Sequence, residues 1–555
     1  MRRLSHLVAR PALATRLTPI TLGTIAALTT LAGCSTPAVD PAPIAPVVAC
    51  ATLSGRSIPA QAIGLPTSGA LVTSATLVAA EGRVAEHCRV LADILPVDRA
   101  APPIKFQLNV PTAWKGSIIQ VGGGGLNGRI PANLAALGGG GSPVSGAQPP
   151  DAPYPISRGV AMFGGDSGHQ SETSGDWALN EEAWLNFAHA ALKKTHDAAF
   201  ALVQVLHGVR PRTSYFMGQS QGGREALVVT QRYAADYDGV VATAPLIAYT
   251  PHVVAKTLYA TRQTGAGWVS PAKSKLLGAE VLRQCDALDG LADGVISNYL
   301  ACNARFDVAR LRCEGGGDGG EACLSDAQIA TVRAMRSPLA FDFSLADGLT
   351  DFPAYGSGRE GVAWLNITPQ PALPALPALG QPGITLQYGI LKDASLNLLH
   401  FSVAPHREKI AAASRLLDAT DPDLTPFFAR GGKLIVKSNT ADYAVNPQAL
   451  FRYHDAVRAK VGAATAERHM RLYVLPGAGH GGDGTSGTSG EPLPQYVDLV
   501  SMMMDWVERG IRPADAPVVT SKTGATQPLC RYPLYPRYRG AGDTKVAAHW
   551  QCVRE

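Results

Sequence analysis

Ser220 stands in Gly218-Gln219-Ser220-Gln221-Gly222-Gly223-Arg224, a G-x-S-x-G spacing that can present a serine oxygen as a nucleophile on a tight turn. The apolar run Ser214-Tyr215-Phe216-Met217 precedes it, and helix-compatible residues 225–232 follow. Small flanking residues let the turn close, and the helix after it aims the positive end of its dipole at the reacting centre. A serine hydroxyl is a weak nucleophile without a base, and the base needs an orienting carboxylate. In an α/β sheet both follow the serine, acid first and then histidine, each on a loop after a strand. Asp442 ends Ser438-Asn439-Thr440-Ala441-Asp442 after the apolar run 433–437, and His480 ends Pro476-Gly477-Ala478-Gly479-His480 after the run 471–475. Asp483 is a rival acid, but it follows the histidine and lies too close to it in sequence. The oxyanion of an acyl-transfer step needs main-chain N–H donors. Gln221 supplies one, and Gly124 and Gly125 of the tetraglycine 122–125 are candidates for the second. That tetraglycine is not a phosphate loop, because no Gly-Lys-Ser or Gly-Lys-Thr follows it.

A second group of reactive side chains lies in Cys285-Asp286-Ala287-Leu288-Asp289-Gly290-Leu291-Ala292-Asp293-Gly294-Val295. Three carboxylates in one turn repel one another unless a cation neutralises them. Hard oxygen donors suit calcium, although the spacing is not that of an EF-hand and a solvated acidic loop fits the chemistry equally well. Gly165-Asp166-Ser167-Gly168 has the look of a protease nucleophile segment but lacks an all-β setting. It reads instead as a loop at the edge of the sheet, with Asp166 and His169 supporting the site.

Strand-like runs at 117–121, 159–163, 215–217, 239–242, 433–436 and 471–474 must position these residues, with helix-compatible segments at 182–206, 448–461 and 496–507. Alternating strands and helices predict a mostly parallel sheet covered on both faces. Between about residues 246 and 430 that rhythm fails. The expected fold is therefore an α/β-hydrolase fold with a large inserted lid: core at 50–245 and 431–555, lid at 246–430. Residues 1–33 read as a signal peptide with a basic start and an apolar run ending in Leu31-Ala32-Gly33-Cys34, and 34–49 as a Pro- and Ala-rich tether. Cys34 after that run predicts lipidation, hence an exported lipoprotein of the bacterial cell envelope touching the membrane only through an N-terminal anchor; an ordinary secretory signal with an incidental Cys34, and so a secreted protein, is the alternative. The other eight cysteines form an even set, as disulfides in an exported chain require. Many connectivities are open, and the spacings suggest local loops: Cys50 to Cys88, Cys285 to Cys302, Cys313 to Cys323 and Cys530 to Cys552. A net charge of +5 on 555 residues gives no case for nucleic-acid binding.

Taken together, these segments resemble the tannase and feruloyl esterase family, which includes a hydrolase of mono(2-hydroxyethyl) terephthalate. The resemblance is carried by residues 218–224 with Tyr237-Asp238-Gly239-Val240-Val241-Ala242-Thr243-Ala244-Pro245, by Asp166 to His169, by 285–295, by 432–435 with Asp442, and by 476–480. It implies an extracytoplasmic serine esterase taking a small-molecule ester, with no organic cofactor and a structural calcium in the lid. On the matching positions Asp286, Asp289 and Asp293 would bind that ion with the carbonyls of Leu291 and Val295. The resemblance also supports the four local disulfides. One departure stands out: family members usually carry cysteines just before the nucleophile and just after the histidine, where this chain has Gln219 and Gly481. A looser His480 loop is expected. Trp364, Tyr388 and Phe401 are aromatic candidates for the substrate pocket. Aromatic esters (feruloyl, galloyl or related) are the expected substrates. Aliphatic or terephthalate ester oligomers are the alternative, and an inactive binding lipoprotein is the reading of another class.

Overall fold

A computed structural model describes residues 41–131, 134–135, 148–356 and 380–554. The leader, Cys34, Trp364 and the Pro-Ala-Leu stretch 371–377 lie outside the described residues. The described chain is built on a ten-stranded sheet. Its strands, numbered along the chain, are β1 (Ser57–Ile58), β2 (Ala70–Val78), β3 (His87–Ile94), β4 (Ile104–Pro111), β5 (Ser117–Val121), β6 (Ala161–Gly165), β7 (Thr213–Gln219), β8 (Gly239–Thr243), β9 (Lys433–Asn439) and β10 (Met470–Leu475). In space the order is β1-β2-β3-β4-β6-β5-β7-β8-β9-β10. From β6 to β10 all pairs are parallel, whereas β1 to β4, and β4 against β6, pair antiparallel. The sheet is thus mixed rather than mostly parallel. The antiparallel half comes from β2 to β4, whose alternation of buried and exposed positions marks strands with one solvated side.

The parallel strands bury both faces. Tyr215 and Met217, Val241, Ile435, and Tyr473 with Leu475 enter one core with Leu499, Val500, Met503 and Trp506. The intervening Phe216, Val240 with Ala242, Leu434 with Val436, and Leu472 with Val474 enter another. This is the two-residue period of a strand read on opposite faces. The covering helices are α1 (Ala191–His207), α2 (Gln221–Arg232), α3 (Tyr249–Arg262), α4 (Pro271–Cys285), α5 (Pro447–Val461) and α6 (Leu499–Glu508). Of these, α3 and α4 belong to the long excursion between the adjacent strands β8 and β9, which is mainly helical and forms the lid-like insertion of an α/β-hydrolase fold. Four disulfides join Cys50 to Cys88, Cys285 to Cys302, Cys313 to Cys323 and Cys530 to Cys552. Among the described residues no helix is long and apolar enough to cross a membrane.

Candidate active site

β7 hands over to α2 at Ser220, whose φ of 61° and ψ of −118° leave both the strand and the helical regions. Such a conformation costs a non-glycine residue about 1–3 kcal/mol, so the surroundings must hold it. The Ser220 N–H donates to the Thr243 carbonyl at 3.0 Å, and its carbonyl accepts from Arg224 and Leu246 at 3.0 and 3.2 Å. Two glycines permit the closure. A Cβ on Gly218 would lie 2.2 Å from the Gly222 carbonyl oxygen, and one on Gly222 would lie 2.5 Å from that of Gly123.

The loops after β9 and β10 meet beside this turn. His480 Nδ1 lies 2.7 Å from Asp442 Oδ2, while Oδ1 of the buried Asp442 accepts the N–H groups of Ala444 and Val445 at 2.9 Å each. With Nδ1 donating to the carboxylate, Nε2 is left as the acceptor. Two amide side chains hold the histidine loop from the ends of β9 and β7, the strands on either side of β8. Asn439 donates to the Gly479 carbonyl at 2.9 Å, and Gln219 donates to the His480 carbonyl at 2.6 Å. Gln219 therefore makes a contact at the place where the resemblance leads one to expect a cysteine. Asp483 stays within its own loop, its carbonyl accepting the Gly479 N–H at 2.6 Å.

The glycine loop is fixed from below. The Gly123 N–H donates to the buried Glu225 at 3.0 Å, and Asn127 donates to the same carboxylate at 2.5 Å and to Ser167. Burial raises the Glu225 pKa. The His169 ring lies 3.6 Å from that of Trp177 in a stacked pair, with Nε2 2.9 Å from the Leu126 carbonyl. Burial pushes the pKa of neighbouring Asp166 up to about 7. This segment is not at the sheet's edge as expected: β6, which leads into it, lies between β4 and β5. It supports the loop from the middle of the sheet.

A cavity of about 560 Å³ opens over these elements, with Gly125, Ser220, Gln221 and His480 in its wall; Gly124 is not among its lining residues. Tyr249, His252, Val253 and Lys256 line it from α3, and Tyr443, Ala444 and Val445 from the loop after Asp442. Sequence reasoning missed this helix face, because its i, i+3, i+4, i+7 positions carry Tyr, His, Val and Lys rather than an apolar stripe. Tyr388 and Phe401 do not line the cavity. Tyr388 packs against the core, and the buried Phe401 stacks on His406.

The acidic turn lies elsewhere. Asp286 accepts the Gly294 N–H, Asp289 accepts those of Leu291 and Ser297, and Asp293 that of Val295. Burial, with repulsion from the neighbouring aspartates, pushes Asp289 up to about 7 and Asp293 up to about 6. Among the described residues no three His, Cys, Asp or Glu side chains are gathered as a metal site. The fit to calcium is one of donor chemistry, hard oxygens on a short turn whose charge favours a cation. The turn docks on the loop after His480: the Asp293 carbonyl accepts from the Ser486 and Thr488 hydroxyls, and the Gly294 carbonyl accepts from the Gly487 N–H.

Comparison with known proteins agrees with this architecture. The family profile described as "Tannase and feruloyl esterase" matches residues 88–553. An uncharacterized esterase of Agrobacterium fabrum is 32% identical, covering 91% of this chain and 93% of its own. The mono(2-hydroxyethyl) terephthalate hydrolase of Piscinibacter sakaiensis is 28% identical over 86% and 87%, and feruloyl esterase B of Aspergillus niger is 27% identical over 91% and 93%. Among solved structures, feruloyl esterase B from Aspergillus oryzae shares the fold with a TM-score of 0.74 at 20% identity, covering 91% of this chain and 100% of that one. The chain belongs to the tannase and feruloyl esterase family and is an ester hydrolase.

Proposed function

We propose that Ser220, His480 and Asp442 form the catalytic triad of a serine carboxylic ester hydrolase that acts on aromatic esters. The observation that carries this reading is the His480–Asp442 pair opening, with the strained Ser220 turn, onto one cavity. His480 Nε2 takes the Ser220 proton as Oγ adds to the ester carbonyl carbon, and Asp442 holds the imidazole and stabilises its cation. The N–H of Gln221, the first residue of α2 and so unpaired within its helix, faces the developing oxyanion. Because the Gly123 N–H is committed to Glu225, the second donor falls to Gly124 or Gly125. Each such donor contributes about 2.7–4 kcal/mol to the barrier reduction. Collapse breaks the ester C–O bond, with the His480 proton going to the departing alcohol. Water, deprotonated by His480, then attacks the acyl-enzyme, releases the acid and restores Ser220.

An aromatic acyl group is supported by Tyr249 and Tyr443 in the cavity wall and by the feruloyl esterases among the relatives. The acidic turn is read as a structural calcium site using the side chains of Asp286, Asp289 and Asp293 with the carbonyls of Leu291 and Val295. The leader and Cys34 are read as a lipoprotein export signal; Cys34→Ser should move the protein from the membrane to the soluble fraction. The decisive assay is hydrolysis of methyl ferulate and methyl gallate by the form lacking residues up to 34, beside Ser220→Ala. Turnover that falls by at least about 10³-fold in the variant supports the triad and the substrate class. Turnover of only short nitrophenyl esters through Ser220 would retain the triad and remove the aromatic-ester reading. A folded protein inert on every ester would favour a binding role.

A further inference from the structure

Asp442 sits on a loop whose shape decides where its carboxylate points. Its Oδ1 accepts the N–H groups of Ala444 and Val445, so the carboxylate follows the main chain of residues 443–445. Before Asp442 this loop is tied to the core. The Thr440 N–H donates to the Leu475 carbonyl at 3.1 Å, and the Ala441 N–H to the Ala478 carbonyl at 2.9 Å. After Asp442 the ties come from the lid. Lys256 Nζ, on α3, donates to the Tyr443 carbonyl at 2.7 Å. Asn446 donates its side-chain amide to the carbonyls of Pro353 and Ala354 at 2.7 and 3.2 Å. Asn446 has a second task, because its Oδ1 accepts the Gln448 N–H and caps α5. The Tyr443 residue is 43% exposed, so what holds the loop there is its carbonyl rather than its ring.

A lysine at this point costs the fold stability. Lys256 is 7% exposed, and its Nζ lies 4.8 Å from the centre of the Tyr355 ring. Burial pulls its pKa down to about 7, against the attraction of Asp442. As ammonium or as amine it keeps an N–H to donate. Desolvating such a group is unfavourable, and an apolar chain of the same length would occupy the place without that cost. What the lysine adds over such a chain is the bond to Tyr443. We propose that Lys256 is a positioning residue for the catalytic acid: from the lid, through the Tyr443 carbonyl, it holds residues 442–445 so that Asp442 meets His480. The proposal rests on the reading of Ser220, His480 and Asp442 as the triad, and it makes that triad a joint product of core and lid. Asp442 Oδ2 and His480 Nδ1 lie 2.7 Å apart, and a shift of about 1 Å in such an array can cost about 10²-fold in rate.

The test is a double-mutant cycle with nitrophenyl acetate as substrate, pairing Lys256→Met with Asp442→Ala. Lys256→Met should lower kcat about 10-fold, with KM within about 2-fold of wild type. Its denaturant midpoint should be no lower than that of wild type, because the substitution removes a buried amine. In the Asp442→Ala background no carboxylate is left to position, so adding Lys256→Met should change kcat by less than about 2-fold. The same loss in both backgrounds overturns the proposal, since Lys256 would then act on the ester or the cavity directly. An unchanged kcat in Lys256→Met overturns it, whether or not KM rises. A fall in kcat that comes with a lower midpoint, or a Lys256→Met chain that does not fold, overturns it as well and makes Lys256 a structural prop. Failure of the underlying reading looks different: Ser220→Ala or Asp442→Ala would then be as active as wild type.

Discussion

Gln219 precedes Ser220, yet its amide reaches the main-chain carbonyl of His480, 261 residues further along the chain. A hydrogen bond of this kind contributes about 1 kcal/mol net. Gln219→Ala should therefore lower kcat by roughly 5-fold with KM little changed, and steady-state kinetics on any accepted ester will read this. Gln219→Glu should be worse, because it removes the donor and sets a carboxylate against a carbonyl. Equal activity in Gln219→Glu would show that the amide does not position the histidine. Faster amide exchange in residues 476–484 of either variant would locate the effect. The sequence made the missing cysteines at 219 and 481 visible but not what replaces them, since a side-chain contact over such a separation depends on how β7, β9 and β10 lie together. Ser220, Asp442 and His480 were legible because the chemistry fixes their order along the chain and each follows an apolar run. Lys256 was not, because a lone lysine within a helix carries no signal until the cavity beside it is known.

The turn between β7 and α2 was the most legible element, and its physics is backbone contact. Gly218→Ala would put a methyl 2.2 Å from the Gly222 carbonyl, where no flexible side chain can yield. The turn must open or the fold must give. A loss of about 1–3 kcal/mol, with activity lost even where the protein folds, is the expected outcome. Denaturant midpoints and residual turnover measure the two separately, and a fully active, equally stable Gly218→Ala would contradict this geometry. The antiparallel strands β2 to β4 were harder to read than the parallel ones. Their polar faces interrupt the apolar runs that mark β7 to β10, so a search for continuous apolar stretches passes over them. The lid was legible only as a break in rhythm. Its cavity-facing helix α3 mixes Tyr, His, Val and Lys on one face, so hydrophobic periodicity does not single that face out.

On the scale of the whole molecule, the lid and the catalytic loops are joined through the acidic turn, whose carbonyls at Asp293 and Gly294 bind Ser486, Thr488 and Gly487. If calcium fills the turn, a chelator should lower the melting temperature and speed amide exchange in residues 484–490, and added calcium should restore both. An unchanged melting temperature would remove the ion from the account. The Cys285–Cys302 disulfide brackets this turn, closing a loop with a sequence separation of 17. Replacing both cysteines by serine should cost about 3 kcal/mol in a chain-entropy account, read as a lower denaturant midpoint. The remaining bridges span 38, 10 and 22 positions, and from Cys50 onward the cysteines are paired in consecutive order, so no two loops interleave. During synthesis each pair is complete before the first cysteine of the next pair has been made. Oxidation of these eight cysteines can therefore proceed in order from the amino end to the carboxyl end.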